Sequence, residues 1–322
     1  MAAEQSPYEV PQKETVNVGG IPVNVYREMK SGSEDGSRPI TAVFMLHGRL
    51  SHCDGPHTMP IVEACFNAVR QHKMQGNHPL SDLIVITLVR RASVSPSARC
   101  TTEHATATQD HRNHGSRILD AKANDAWDKT KEKDNVRHAE LNLLSAGTAR
   151  DVSFVIDFLP ARIVQWGVVG VSLGGHSSWI LLNSDPRVSF GVPIIGGADF
   201  EKLMAYRIER TFGAGSTLEP PRYPVILRDF VNSHDPAKSN FQANDSSNPF
   251  QGKKILVLSG ATDTLVPFSI TSEFAGILKS TMGAGSIEVV VEEGAGHQLT
   301  PTATERTAAF VLKVLSAPSS KM

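Results

Sequence analysis

Six short apolar runs alternate along the chain with stretches of helical periodicity, and this alternation constrains the fold more than any other feature. Each run is rich in valine, isoleucine and leucine, which is typical of a strand buried on both faces of a parallel sheet. The runs lie at 40–46, 83–88, 164–171, 188–195, 254–258 and 287–291. Helical spacing of apolar residues occurs at 59–74, 137–159, 173–182, 271–278 and 304–315. Right-handed crossovers between such units predict an α/β protein with a doubly wound, mostly parallel sheet.

The N-terminal segment has a different period. Residues 15–26 alternate apolar and polar side chains around Gly19-Gly20. A pair of glycines accepts the positive φ angles of a tight hairpin turn. The sequence therefore predicts an antiparallel hairpin that precedes the parallel part of the sheet.

Charge and composition exclude several kinds of partner. The net charge of −1 is too small for a protein that binds nucleic acid through its phosphates. The longest apolar run is only strand-sized, so no membrane span is predicted. Cys53, Cys65 and Cys100 show no zinc-binding spacing, and the first residues lack the basic and apolar parts of a secretory signal. We therefore expect a reduced, cytoplasmic protein without a metal or another cofactor.

The motif Gly170-Val-Ser172-Leu-Gly174 directly follows the predicted strand 164–171 and opens a helix. In this strand–turn–helix unit the serine hydroxyl stands above the sheet, and side chains two positions away would collide, so glycine is needed there. A phosphate-binding turn is the alternative interpretation. However, the glycines do not fit the G-x-G-x-x-G spacing, and no acidic partner for a ribose follows the next strand. Ser172 is therefore the candidate nucleophile.

Two further side chains lie where a serine nucleophile needs them. Asp263 comes just after the run 254–258, and His297 comes just after the run 287–291. A loop histidine is usually a solvated surface residue, and a loop aspartate usually forms a turn. Because the carboxyl ends of parallel strands meet at one edge of the sheet, the order Ser172, Asp263, His297 instead predicts a catalytic triad.

The first long core strand ends at His47-Gly48-Arg49-Leu50. A backbone amide from this loop would join the amide of Leu173 in binding the oxygen that becomes negative in the transition state. We assign the main chain of Arg49 as this second donor and Leu50 as a substrate contact. His47 is interpreted as a structural residue that holds the loop by hydrogen bonds.

The sequence resembles the α/β-hydrolase superfamily over nearly its whole length. The matching segments are HGRL at 47–50, DHRNHG at 110–115, GVSLGG at 170–175, GATDTLVP at 260–267 and GAGH at 294–297. It is most similar to fungal and bacterial esterase-like hydrolases related to prolyl oligopeptidases. The 322 residues leave no room for a β-propeller, so peptidase specificity is not implied. The resemblance implies the α/β-hydrolase fold and a serine-dependent hydrolase with Ser172, Asp263 and His297 as its triad.

Two segments depart from the regular pattern. In related families the second core strand usually runs straight into the DHRNHG turn, but here residues 89–109 intervene. Because they are polar and aperiodic, we interpret them as a flexible surface insertion or a gene-model artefact. Residues 199–252 occupy the position where this fold commonly inserts a cap, which leaves 1–198 and 253–322 as the hydrolase core.

Three histidines near the DHRNHG turn could suggest a metal site. The spacings between His104, His111 and His114, seven and three residues, fit no common set of metal ligands. Loop histidines with satisfied hydrogen bonds are the better interpretation, with Arg112 and His114 anchoring the backbone of the turn.

The predicted cap is rich in aromatic residues. It holds seven of the chain's twenty, namely Phe200, Tyr206, Phe212, Tyr223, Phe230, Phe241 and Phe250. We expect them to form a small core of the cap and, secondarily, an apolar roof over Ser172 in which Phe200 and Tyr206 contact the substrate. No cationic cluster marks a phosphate site. The sequence thus predicts a small, apolar, ester-like substrate, and faster hydrolysis of uncharged esters than of charged ones.

The combined features predict a hydrolase that cleaves a carboxylic ester, a thioester or a lactone through an acyl-enzyme on Ser172. The same triad would also serve C–C bond hydrolysis, acyl transfer, or a cyclisation or lyase step, and the sequence leaves these alternatives open. A complete triad argues against a pure binding protein, and a nicotinamide-dependent oxidoreductase is a distant alternative. A homodimer is compatible with the sequence.

Overall fold

The structure is a computed structural model. It describes residues 11–28, 38–77, 79, 81–88, 111–114, 125, 127, 130, 141–159 and 162–317. Residues 89–109, predicted as a flexible insertion, lie outside the described residues, as do Cys100 and His104.

Eight strands form one sheet. In chain order they are β1 (Gln12–Val18), β2 (Ile21–Arg27), β3 (Ile40–Leu46), β4 (Asp82–Leu88), β5 (Ile163–Val171), β6 (Val188–Ile194), β7 (Lys254–Gly260) and β8 (Ile287–Glu292). Their order across the sheet is β1-β2-β4-β3-β5-β6-β7-β8. The pairs β1–β2 and β2–β4 are antiparallel, and all the others are parallel. The doubly wound, mostly parallel sheet is therefore confirmed.

The antiparallel hairpin is also confirmed. Val16 pairs with Val23 and Val18 with Ile21, so that Gly19 and Gly20 form a two-residue loop. Both glycines have positive φ, +56° and +90°, the region that side chains disfavour and that a primed hairpin turn requires. The hairpin lengthens the sheet beyond β4 without taking part in the parallel core.

Seven helices lie in the described part of the chain. They are α1 (Met59–Met74), α2 (Leu141–Asp157), α3 (Leu173–Ser184), α4 (Phe200–Phe212), α5 (Val225–His234), α6 (Ser269–Thr281) and α7 (Pro301–Leu315). Helix α7 begins three residues before the predicted start because the Thr300 hydroxyl accepts a hydrogen bond from the amide of Ala303 and Pro301 takes the first helical position.

The sheet separates two apolar cores. Along β3, Phe44 and Leu46 face the side covered by α2, α3 and α6, whereas Val43 and Met45 face the side covered by α1 and α7. This period of two places helices on both faces and leaves the carboxyl ends of the parallel strands open at one edge. The functional side chains predicted from the sequence follow those ends.

Helices α4 and α5 form a third, separate apolar cluster. It contains Phe200, Met204, Tyr223 and Val231, and Trp127 packs into it from outside the predicted cap. Two other aromatic residues of the predicted cap, Phe241 and Phe250, pack instead with Trp179 and Phe274 in the main core. The aromatic residues of the predicted cap are therefore divided between this third cluster and the main core.

Candidate active site

Ser172 lies in the turn between β5 and α3, with φ +54° and ψ −107°. Residues other than glycine rarely adopt this combination of backbone angles, so the backbone is strained at the candidate nucleophile. A Cβ atom added to Gly170 would lie 2.1 Å from the carbonyl oxygen of Gly174, and one added to Gly174 would lie 2.3 Å from that of Leu46. These contacts are the collisions that the sequence motif predicts for any larger residue.

Three side chains that are distant in the sequence form one chain of hydrogen bonds. The Oγ atom of Ser172 is 2.8 Å from Nε2 of His297, and Nδ1 of His297 is 2.7 Å from Oδ2 of Asp263. His297 follows β8 and Asp263 follows β7, while Ser172 follows β5. The order of the strands thus brings hydroxyl, imidazole and carboxylate together at one edge of the sheet.

The carboxylate of Asp263 is fully buried and already engaged on its other oxygen. Its Oδ1 accepts hydrogen bonds from the amides of Leu265 and Val266 at 2.8 and 2.9 Å. Burial alone would raise the pKa of Asp263, but the hydrogen bonds from His297 and from these two amides outweigh it and lower the pKa below its usual value. Because the carboxylate is ionised, Nδ1 of His297 donates to it, which leaves Nε2 to accept the Ser172 proton.

The loop after β3 lies directly beside the nucleophile. A Cβ atom on Gly48 would be 3.6 Å from Cβ of Ser172, and the carbonyl of His47 accepts a 3.0 Å hydrogen bond from the amide of Gly174. Arg49 and Leu173 both line the cavity above Ser172. Their predicted role as amide donors to an oxyanion stays a prediction.

The side chain of His47 is held in place by His111, a contact that the sequence did not predict. Nε2 of His47 accepts the amide hydrogen of His111 at 2.9 Å, so Nδ1 is the protonated nitrogen and donates to the carbonyl of Gly48 at 2.7 Å. In return, Nε2 of His111 donates to the carbonyl of His47 at 2.7 Å, and its Nδ1 accepts from the Thr148 hydroxyl. Burial lowers the pKa of His47 to about 3. A neutral histidine therefore fixes the loop that contains Arg49.

The turn that contains His111 is itself tied to α2. Nη2 and Nε of Arg112 bind the two carboxylate oxygens of Asp151 at 2.6 and 3.2 Å, and the Asp151 side chain is 9% exposed. This two-point contact fixes the position of the guanidinium group. The anchoring that the sequence predicts for Arg112 thus acts through its side chain on a neighbouring helix.

A cavity of about 320 Å³ opens above Ser172 and His297. Phe200, Leu203 and Met204 of α4 form its apolar side, and Tyr206 also lines it. Phe200 and Tyr206 thus line the cavity, and their contact with a substrate stays a prediction. Leu50 is 76% exposed and does not line this cavity among the residues that the structure describes, so its contact with substrate stays a prediction.

The cavity is also lined by charged side chains to which the sequence assigned no role, since Arg49 was assigned only through its main chain. Arg49, Arg207 and Arg210 line it. The sequence gives no signal for them as a group, because Arg49 belongs to the loop after β3 and the other two lie within the polar pattern of α4. The expectation that no cationic cluster marks a phosphate site stays a prediction.

Three further features concern metal ions, membranes and cysteines. Within the described ranges, no group of three histidine, cysteine or acidic residues is arranged to hold a metal ion. Among the helices described, none is both long and apolar enough to cross a membrane. Cys53 and Cys65 are buried free thiols.

Comparison with known proteins gives structural likeness at low sequence identity. No family model matches the chain, and no curated protein matches its sequence. TT1662 from Thermus thermophilus is similar with a TM-score of 0.60 and 17% identity, over 96% of this chain and 100% of that one. The esterase Pf2001 from Pyrococcus furiosus gives 0.52 and 17%, over 96% and 92%. An acylaminoacyl peptidase from Pyrococcus horikoshii gives 0.55 and 10%, over 95% and 41%. Identities this low establish a common fold alone.

Proposed function

Taking the α/β-hydrolase fold of this chain as the premise, we propose that the protein is a serine hydrolase that cleaves a carboxylic ester, a thioester or a lactone. The observation that carries the proposal is the continuous hydrogen-bond chain from Ser172 through His297 to Asp263, which ends at a cavity. The esterase Pf2001 and the acylaminoacyl peptidase are hydrolases by name, which supports hydrolysis as the reaction class.

The first half of the reaction transfers the acyl group to the enzyme. Nε2 of His297 takes the proton of the Ser172 hydroxyl as Oγ attacks the carbonyl carbon. The carboxylate of Asp263 stabilises the resulting imidazolium and holds Nδ1–H in place. The amides of Leu173 and Arg49 bind the oxyanion, and His297 then gives its proton to the departing alcohol or thiol. The product of this half-reaction is an ester of Ser172.

The second half regenerates the enzyme. His297 takes a proton from a water molecule, whose oxygen attacks the acyl-enzyme carbonyl. The tetrahedral intermediate collapses, the Ser172 oxygen leaves and recovers the proton from His297, and the acid departs. The sum is one ester and one water converted to one acid and one alcohol or thiol, so no cofactor takes part.

The size and lining of the cavity support a small substrate with an apolar part. A volume of about 320 Å³ is at the small end for ligand pockets, which are roughly 300–1,000 Å³. Phe200, Leu203 and Met204 offer an apolar surface opposite the nucleophile. A cytoplasmic location and a homodimer stay predictions.

A fluorophosphonate probe tests the proposal directly, because it reacts covalently with an activated serine. We expect the wild-type protein to be labelled on Ser172 and the Ser172→Ala variant to be unlabelled. The matched control is Ser280→Ala, which removes an exposed serine of α6 whose hydroxyl donates to the carbonyl of Ile277. This control should be labelled like the wild type.

The same proteins give a kinetic readout. Release of p-nitrophenol from p-nitrophenyl butyrate should show a burst with one equivalent per protein if an acyl-enzyme accumulates. Folding of each variant is checked by circular dichroism. Labelling that persists in folded Ser172→Ala, or its absence from the wild type, would remove Ser172 from the mechanism and overturn the proposal.

A further inference from the structure

The loop after β3, residues 47–58, is tied to the N-terminal hairpin through the side chain of Asp54. One carboxylate oxygen, Oδ2, accepts a hydrogen bond from Nζ of Lys13 at 2.9 Å. The other, Oδ1, accepts from Nδ2 of Asn24 at 3.4 Å and from the hydroxyl of Tyr26. Lys13 lies on β1, and the other two donors lie on β2. A single carboxylate of the loop thus binds both strands of the hairpin.

Two of the three donors are buried and fixed in direction. Asn24 and Tyr26 are 0% and 1% exposed. Oδ1 of Asn24 accepts the hydroxyl hydrogen of Thr15 at 2.7 Å, which orients the amide so that Nδ2 donates to Asp54. Burial and the hydrogen bond to Asp54 raise the pKa of Tyr26 above its usual value, so the phenol keeps its proton and donates. Because a buried donor without an acceptor costs free energy, these groups hold Asp54 in one position.

Contacts within the loop connect Asp54 to its first residues. A Cβ atom on Gly55, the residue after Asp54, would lie 2.9 Å from Oγ of Ser51. The amide of Ser51 donates in turn to the carbonyl of Gly48 at 3.2 Å. From the end of the loop, Nδ1 of His57 lies 3.6 Å from the position of a Cβ atom on Gly48. The loop is therefore folded closely on itself, and the position of Asp54 influences that of Gly48.

The start of this loop borders the nucleophile. A Cβ atom on Gly48 would be 3.6 Å from Cβ of Ser172, and the next residue, Arg49, carries the amide that we assign to the oxyanion. An amide donor stabilises the transition state most when it is held about 2.7–3.1 Å from the oxyanion before the reaction begins. His47 fixes the first residue of the loop, and Asp54 fixes its middle. A shift of the loop would therefore weaken the proposed oxyanion contact.

We propose that Asp54 is a positioning residue for the proposed reaction, because its bonds to the hairpin hold the loop 47–58 with the amide of Arg49 directed at the oxyanion. The inference rests on the proposed function and adds a residue that is not among the described residues lining the cavity. It also gives the hairpin a role. Strands β1 and β2 lie outside the parallel core, yet their side chains support the loop beside the nucleophile.

The first test is kinetic. Asp54→Ala removes the acceptor of all three hydrogen bonds from the hairpin. Because an oxyanion donor acts in the transition state more than on the bound ester, kcat for p-nitrophenyl butyrate should fall about tenfold, with KM changed less than about twofold. Complete removal of one such donor costs about 10²–10³ in kcat, so the smaller loss corresponds to a displaced donor. Circular dichroism checks that the variant is folded.

An inhibitor separates positioning from a loss of folded enzyme. The Ser172 oxygen bonds to the carbonyl carbon of 1,1,1-trifluoropentan-2-one, the carbonyl electron pair moves to oxygen, and His297 takes the serine proton, which gives a tetrahedral oxyanion. The inhibition constant should rise about tenfold in Asp54→Ala. A preparation with less folded protein would show a lower kcat and the same inhibition constant. An unchanged inhibition constant in Asp54→Ala would overturn the inference.

Glu28 provides the matched control, since it anchors the same hairpin to a different element. Just after β2, its carboxylate accepts a hydrogen bond from Nζ of Lys73 at 2.6 Å and lies 3.7 Å from Nε of Arg70, and both partners belong to α1. Glu28→Ala therefore removes a hairpin anchor but keeps the bonds to Asp54, and it should leave kcat and the inhibition constant unchanged. Equal changes in Asp54→Ala and Glu28→Ala would overturn the inference, even if Ser172 is labelled in the wild type.

Hydrogen–deuterium exchange separates this inference from the proposed function, because it requires no turnover. The amides of Ser51 and Gly55 donate within the loop and report on its opening. We expect them to exchange about tenfold faster in Asp54→Ala and at the wild-type rate in Glu28→Ala. Unchanged exchange in Asp54→Ala would overturn the inference. Faster exchange in a protein whose Ser172 is never labelled would count against the hydrolase alone.

Discussion

The floor and the roof of the cavity above Ser172 are built in different ways. The floor consists of Ser172, Asp263, His297 and the loop 47–49, and its shape depends on backbone contacts such as that between Gly170 and Gly174. The roof consists of α4, which packs with α5 in a separate cluster of apolar side chains. At Gly170 and Gly174, an added methyl group has no room. In the roof, similar apolar residues would fill the same volume.

This contrast explains how one scaffold supports many substrates. Backbone contacts require particular residue types, because a glycine in such a contact has no substitute. A packed side-chain cluster tolerates exchange among residues of similar size. The floor therefore fixes the chemistry, and the roof is free to set the shape and charge of the substrate. Arg207 and Arg210, which α4 brings into the cavity, illustrate this freedom.

The largest expected effect tests the floor. Asp263→Asn removes the charge that stabilises the His297 imidazolium and no longer fixes its Nδ1–H tautomer. We expect kcat for p-nitrophenyl butyrate to fall by about 10³–10⁴-fold, with the fold retained. Steady-state kinetics and circular dichroism measure the two quantities.

A second buried aspartate provides its control. Asp185 pairs with Arg187 at 2.8 Å, at the other end of α3 from Ser172. Asp185→Asn should reduce stability while leaving kcat near the wild-type value. A loss of kcat in Asp185→Asn as large as in Asp263→Asn would show that the effect is structural.

The next prediction tests whether the floor depends on backbone contact. Gly170→Ala places a Cβ atom 2.1 Å from the Gly174 carbonyl oxygen, so we expect a loss of more than about 3 kcal/mol in the free energy of unfolding. Gly276 lies in α6 with open space around its Cα atom. There, Gly276→Ala should stabilise the protein by about 0.5–1 kcal/mol. Equal effects of the two substitutions in urea denaturation would show that the close backbone contact at Gly170 does not determine the stability of the floor.

The smallest expected effect concerns the pH dependence of the free energy of unfolding. The floor is held by a neutral histidine, His47, whereas the roof contains charged arginines. Burial lowers the pKa of His47 from 6.5 to about 3, so below pH 6.5 the unfolded chain binds a proton that the folded protein excludes. The titration of His47 therefore costs almost no stability above pH 6.5, but it lowers the free energy of unfolding by about 2 kcal/mol between pH 7 and pH 5.

Unfolding in urea at the two pH values measures this decrease. The His47→Gln variant should be less stable at pH 7, because its loop loses hydrogen bonds, but should lose about 2 kcal/mol less than the wild type on acidification. Parallel pH dependences of the two proteins would show that His47 does not carry the effect.

The sequence predicted the sheet and the hairpin, and it assigned the three polar side chains of the candidate site to positions just after strand ends. Apolar runs mark strands buried on both faces, and the ends of parallel strands meet at one edge, so local pattern was enough to place Ser172, Asp263 and His297 near one another. The requirement for glycine at positions 170 and 174 also follows from local geometry alone.

The sequence could not show what depends on contacts between distant segments. Trp127 lies in a polar stretch without periodicity, yet it packs against Phe212 with ring centroids 6.3 Å apart. His111 binds His47 across 64 positions of the chain. Arg207 has the spacing of an ordinary surface residue of α4 but lines the cavity. Such contacts depend on how helices, strands and loops pack against one another, and the local spacing of apolar residues does not indicate this.

The bonds between α4 and the loop after Asp263 have a mechanical consequence. Tyr206 and Arg210 donate to the carbonyl of Thr264, and Arg207 donates to that of Leu265. Leu265 also donates its amide to Asp263. Raising α4 to admit a bulky molecule would pull on the support of the carboxylate. The position of α4 is thus coupled, through the loop 264–265, to the hydrogen bonds that hold the Asp263 carboxylate.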